Sequence, residues 1–270
     1  MQVSNESANR SSAAFADWLR SPLGEYVATR EQVFFDRAVA DVFGYYALQL
    51  DQPALPLLRS NRMPTRLLAG LSAACPLHCD PVQLPFPAAS IDLVILPHTL
   101  DFHPDPRAVL REVERVLVPE GRVILSGFNP WSLWGATRLG KRRRGMPWQG
   151  QFLSVPRVKD WLALLGFETT ASQLDCYVPP LLRAGWRDKF AFMEKAGARW
   201  WPIGGGVYCI SAVKRVRGMR LITPGWKKAK PVGRAVAVGV PDRRSQPAGA
   251  PTTPKQTGVT ARATPTQTDN

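Results

Sequence analysis

His98 follows the apolar run Ile91–Leu96 after one proline, and its type and position suit it to proton transfer. An imidazole titrates near neutrality, so it could act as a general base toward an oxygen nucleophile. The same residue could equally be a hydrogen-bonded loop side chain. Cys75, His78 and Cys79 lie close together, but no second ligand pair follows at zinc spacing, so no metal is expected and the thiols read as reduced. Between Phe128 and Phe152, Trp131, Trp134 and Trp148 bracket Lys141-Arg142-Arg143-Arg144. Interleaved aromatics and cations can stack bases and hold phosphates, or sit at an anionic membrane surface. They can also form a solvated basic loop whose tryptophans pack on the core. A second cluster, Arg199-Trp200-Trp201-Pro202, precedes Gly204-Gly205-Gly206, with no Walker-type lysine after the glycines.

These residues need a frame to position them. Apolar spacing from Phe15 to Phe43 predicts amphipathic helix broken near Pro22. Tyr45–Leu50 and Thr65–Leu71 read as strands, with room for one short helix between them, and Leu77–Cys79 as a short edge strand. Ile91–Leu96 is nearly all apolar, as expected of a parallel strand buried on both faces. Asp105-Pro106 is a helix start, and Val109, Leu110, Val113, Val116 and Leu117 form that helix's apolar face. Strand Arg122–Phe128 follows. A helix opened by Ser154 and Pro156 and the strands Glu168–Tyr177 and Val207–Val213 complete the pattern. Strand–helix alternation of this kind predicts a doubly wound α/β sheet.

The net charge of +14 is unevenly placed: residues 214–270 contribute +10, leaving +4 for the rest. Residues 223–270 are rich in Pro, Thr, Ala and Gly and are expected to form a basic disordered tail. Residues 1–12 are expected as a disordered lead, residues 13–222 as the α/β domain and residues 129–153 as an insert. The polar N-terminus has no secretory character and no run reaches membrane-spanning length, so a cytoplasmic protein without a transmembrane segment is expected.

Asp80-Pro81-Val82-Gln83-Leu84-Pro85-Phe86 followed by Ser90-Ile91-Asp92-Leu93-Val94 resembles a block of the class I S-adenosylmethionine-dependent methyltransferases, type 11 branch. The likeness continues through His98-Thr99-Leu100-Asp101, the Asp105-Pro106 helix start and Pro119-Glu120-Gly121-Arg122. It implies a mostly parallel, seven-stranded Rossmann-like sheet with the last strand antiparallel, and S-adenosylmethionine as cofactor. It places Asp80 and Pro81 at the adenine edge, and Leu96, Pro97 and His98 beside the reacting methyl. It also assigns Asn129, Trp131, Trp134, Arg142, Arg143 and Trp201 to the acceptor side.

The family's first motif, an acid followed by spaced glycines, aligns with Gln49-Leu50-Asp51-Gln52-Pro53-Ala54-Leu55. Gln49 replaces the acid, while Asp51, Pro53 and Leu55 replace glycines. Gln49, Leu50 and Asp51 are then the cofactor-side residues. The acid expected at the end of the second strand is absent from Leu67–Ala74. The expected activity is methyl transfer to an unidentified small-molecule or membrane-associated acceptor. The alternatives are a catalytically weakened scaffold of the same fold, or an RNA-binding protein. In the last case Lys141–Arg144 and the tail would meet RNA or an anionic surface.

Overall fold

A computed structural model describes residues 2–139, 145–180 and 192–216. They belong to one unit, Met1–Met219, and the expected basic tail lies outside the described residues. The strands are β1 (Tyr46–Leu50), β2 (Thr65–Gly70), β3 (Leu77–His78), β4 (Ile91–Pro97), β5 (Leu117–Phe128), β6 (Phe167–Asp175) and β7 (Val207–Lys214). They form one sheet in the order β3-β2-β1-β4-β5-β7-β6. All neighbours up to β5 are parallel, and β7 runs antiparallel to both β5 and β6. This is the architecture the sequence predicts, with the last strand reversed.

Alternate residues of the central strands serve opposite layers, which is why Ile91–Leu96 reads as continuously apolar. Leu93 and Ile95 face one apolar layer; Val94 and Leu96 face the other. On the first side lie α1 (Gln2–Leu19) and α2 (Pro22–Ala40), contributing Phe15, Leu19, Val27 and Phe35. On the second lie α4 (Pro106–Val116) and α6 (Val155–Leu164), contributing Val109, Leu110, Val113, Val158 and Leu162. The Asp105 side chain accepts from the Ala108 amide at 2.9 Å and caps α4, with Pro106 in its first turn. Ser21 caps α2 the same way, accepting from Gly24 at 3.1 Å, so the break near Pro22 is a cap between two helices.

Three differences from the sequence reading bear on the site. Helix α1 begins at Gln2 rather than after residue 12, continuing N-terminally from the segment that Phe15 and Leu19 bury. Residues 51–64 form turns, not a helix. Short helices α3 (Thr99–Phe102) and α5 (Leu133–Leu139) follow the carboxyl ends of β4 and β5, and α7 (Phe192–Trp200) precedes β7.

Candidate functional site

The carboxyl ends of β1, β2 and β4 meet at one small chamber, where an open α/β sheet holds its ligand. Its lining comes from Ser12 of α1, Asp51 and Gln52 after β1, Leu71 after β2, and His98, Thr99 and His103 around α3. Three residues there hold left-handed backbone: Asp51 at φ 62°, Gln52 at 51° and His98 at 54°. Such conformations cost about 1–3 kcal/mol each outside glycine and gather at functional sites. The turn that glycines would make therefore survives without them.

Gln49 explains how. Its Nε2 donates to the carbonyls of Asp51, Gln52 and Leu55 at 3.2, 3.0 and 2.9 Å. An acid at this position would meet three carbonyl oxygens, so the amide is the side chain this turn requires. Thr99 Oγ1 adds a bond to the Leu50 carbonyl at 3.0 Å, joining β1 to α3.

The acid missing from the end of β2 has a stand-in. Asp51 Oδ1 accepts from the Leu71 amide at 3.2 Å and covers Gly70, the last residue of β2. A Cβ on Gly70 would lie 2.3 Å from that oxygen. A carboxylate thus occupies the space beside β2 by reaching across from β1. Burial pushes the Asp51 carboxyl up to about 6, and the neighbouring Asp80 adds to this. Asp80 itself accepts from the Val82 amide at 3.0 Å and lies 3.5 Å from His103 Nε2.

His98 is fully buried. Its Nδ1 donates to Asp101 Oδ2 at 2.8 Å, and that oxygen also accepts from the Phe128 amide at 2.9 Å. Its Nε2 lies 2.9 Å from Glu31 Oε1, close as an ion pair but off the line of a hydrogen bond. Burial disfavours the charged ring, but Glu31 and Asp101 outweigh it and hold the imidazolium up to about 9. Phe15 (4.9 Å between ring centres) and Phe128 (4.3 Å) close over it. Held this way, His98 locks α2 to the end of β4 and offers no lone pair to a substrate.

The remaining sequence candidates divide by layer. Leu50 and Leu96 point into the layer against α4, away from the chamber. Pro97 ends β4 and Pro81 follows Asp80 in its turn. Asn129 Nδ2 donates to the carbonyls of Ile203 (2.8 Å) and Gly205 (2.9 Å), tying the end of β5 to the strand-7 approach. Trp134 is fully buried, its Nε1 donating to the Val178 carbonyl at 3.0 Å. Trp131 and Trp201 remain exposed. Arg142, Arg143 and the rest of Lys141–Arg144 lie outside the described residues. Sequence reasoning missed Ser12, Gln52 and Glu31; their buried polarity on apolar helix faces or beside Pro53 was the available signal.

The chamber's chemistry suits a ligand bearing hydrogen-bond donors and positive charge. Asp51 supplies a carboxylate, Asp80 lies next to the lining residue His103, and the buried Ser12 Oγ and Gln52 Oε1 have no partner among the described residues. Its room does not: about 10 Å³, the scale of a single water. With α1 seated, no nucleoside-sized group fits.

Residues 35–125 match the family model described as a methyltransferase domain. The chain is 42% identical over 90 residues to the uncharacterized protein YafS of Escherichia coli K12, covering 33% of this chain and 38% of YafS. It is 25% identical over 188 residues to an uncharacterized protein of Mycobacterium tuberculosis, covering 65% of each. The chain thus spans less than two thirds of these relatives. Among solved structures, it resembles the putative methyltransferase bound to the Trm112 activator of Haloferax volcanii (TM-score 0.54, 14% identity, 75% of this chain and 98% of that one). A SAM dependent methyltransferase of Archaeoglobus fulgidus superposes with TM-score 0.51 at 15% identity, over 70% and 94% of the two chains. Residues 35–125 are thus similar to a methyltransferase domain, and the sheet has the fold of these solved structures, with the turn after β1 held by Gln49 and Asp51.

Proposed function

We propose that this methyltransferase domain binds S-adenosylmethionine in the chamber at the ends of β1, β2 and β4 and transfers its methyl group to a small-molecule acceptor. The observation that carries this reading is the Asp51 carboxylate above Gly70, which supplies an acid beside β2 within a turn that keeps glycine-like backbone. The cofactor, when bound, supplies an electrophilic methyl on a sulfonium sulfur.

The chain's own residues hold, orient and enclose. Asp51 would accept from ligand hydroxyl or amino groups, and Asp80 would face the base edge. Ser12 and Gln52 add polar contacts whose atoms otherwise stay buried without partners. Helix α1 fills the remaining room and excludes water, so binding requires its Ser12–Phe15 turn to move aside. With His98 engaged on both nitrogens, acceleration rests on positioning rather than on a histidine base. Among the described residues no helix is long and apolar enough to cross a membrane.

Calorimetric titration with S-adenosylmethionine and its demethylated product tests the reading. Saturable binding is expected, with a thermal shift worth about 2.7 kcal/mol at 100-fold excess over Kd. Asp80→Ala should weaken binding by about tenfold or more, roughly 1.4 kcal/mol. No binding at millimolar ligand would leave only a scaffold.

A further inference from the structure

A second concavity opens on the far side of Phe128. It lies between the Pro130–Trp131 turn, helix α5 and the start of α6, and encloses about 640 Å³. Its floor is Phe152, stacked on Phe128 at 5.1 Å between ring centres and 18° between planes. Phe128 in turn contacts the His98 ring, so ring contacts run from the groove's Phe152 to the chamber's His98.

The lining is cationic and aromatic. Arg138 places its guanidinium 5.2 Å over the Phe152 ring, and Arg157 stands in the first turn of α6. Neither has an acidic partner among the described residues, and no acid lines the groove. Trp131 forms a rim that is 69% exposed. Ser154, the N-cap of the ten-residue α6, makes no capping bond with its hydroxyl and faces the same space. The helix dipole adds positive potential at that end. Two unpaired guanidinium groups beside stacked rings suit an anion carried on a flat apolar body.

We propose that this groove holds the anionic end of the methyl acceptor, a small molecule with a phosphate or carboxylate on an aromatic or unsaturated body. The proposal rests on the methyltransferase reading above and names the class of its acceptor. Arg138 and Arg157 clamp the anion and Trp131 packs on the flat body, whose reacting end extends past Phe128 toward the cofactor chamber. These residues are specificity determinants and do not touch the transferred methyl.

The test uses the full chain and the probes phenyl phosphate, benzoate and phenol, followed by tryptophan fluorescence and calorimetry. Phenyl phosphate or benzoate should bind saturably and at least tenfold more tightly than phenol; which of the two binds better identifies the headgroup. The double variant Arg138→Ala/Arg157→Ala should lose that preference at least tenfold, with unchanged Tm and unchanged S-adenosylmethionine affinity. Arg138→Lys/Arg157→Lys should recover part of it. Trp131→Ala should weaken all three probes alike. Equal binding of phenol and phenyl phosphate, or no loss in the double alanine variant, overturns the proposal. Tight binding of a single-stranded oligonucleotide that displaces phenyl phosphate also overturns it, in favour of a nucleic-acid surface. If the chain binds phenyl phosphate but no S-adenosylmethionine, the groove stands and the methyltransferase reading fails.

Discussion

The two faces of Phe128 differ in charge and in openness. Toward His98 lies a small chamber lined by Asp51 and by Ser12 of α1, with room for about one water. Toward Arg138 lies an open groove of about 640 Å³ with unpaired cations. The buried side matches a ligand carrying amino groups and a positive sulfur; the open side matches an anion. One aromatic wall lets a single strand end, that of β5, serve both. Closure protects the first site from water, while openness leaves the second free to admit molecules of different shape.

Removing the wall should have the largest effect. Phe128→Ala deletes a fully buried ring that contacts His98, Trp134 and Phe152. A loss of about 3–5 kcal/mol in denaturant unfolding is expected. A loss below 1 kcal/mol would mean the two sides do not share it.

The next test addresses the chamber alone. Gln49→Glu restores the acid typical of the family, yet here it would place a buried charge against the carbonyls of Asp51, Gln52 and Leu55. It should destabilise the fold by about 3 kcal/mol or more. Stabilisation, or improved cofactor binding, would show that the turn differs from the one described.

The pH dependence separates the faces further. His98 is raised in the folded state to about 9 from about 6.5. Its contribution is therefore complete below pH 6.5 and is lost as pH rises through 9. Wild-type stability should fall across that window by at most about 1.4 kcal/mol per pH unit, and His98→Gln should flatten the slope. An unchanged slope would exclude the Glu31–His98–Asp101 network as its source. Groove residues should not alter it.

Much of this frame was legible in the sequence. The burial of Ile91–Leu96 on both faces, the Asp105-Pro106 cap and the alternation of strands and helices follow from local pattern, while the reversed final strand came from the family resemblance. The chamber was harder to read because its repair is non-local. Asp51 stands in for an acid twenty residues downstream only because Gly70 lacks a Cβ, and no spacing rule announces such an exchange. For His98 a base and a hydrogen-bonded side chain were both open, and the structure has it hydrogen-bonded; its second partner, Glu31, reaches it from α2, far away in sequence. Trp134 looked like a groove residue and is core, because Gly206 admits its indole against β7. Arg138 and Arg157 were overshadowed by the denser basic run at 141–144.

In the proposed cofactor site the acid of β2 has moved to β1. Titration of S-adenosylmethionine into Asp51→Gly, and into Asp51→Gly combined with Gly70→Asp, tests it most directly. The single variant should bind at least tenfold more weakly, about 1.4 kcal/mol, and the double variant should recover most of that loss. Wild-type affinity in Asp51→Gly, or no recovery in the double variant, would contradict it.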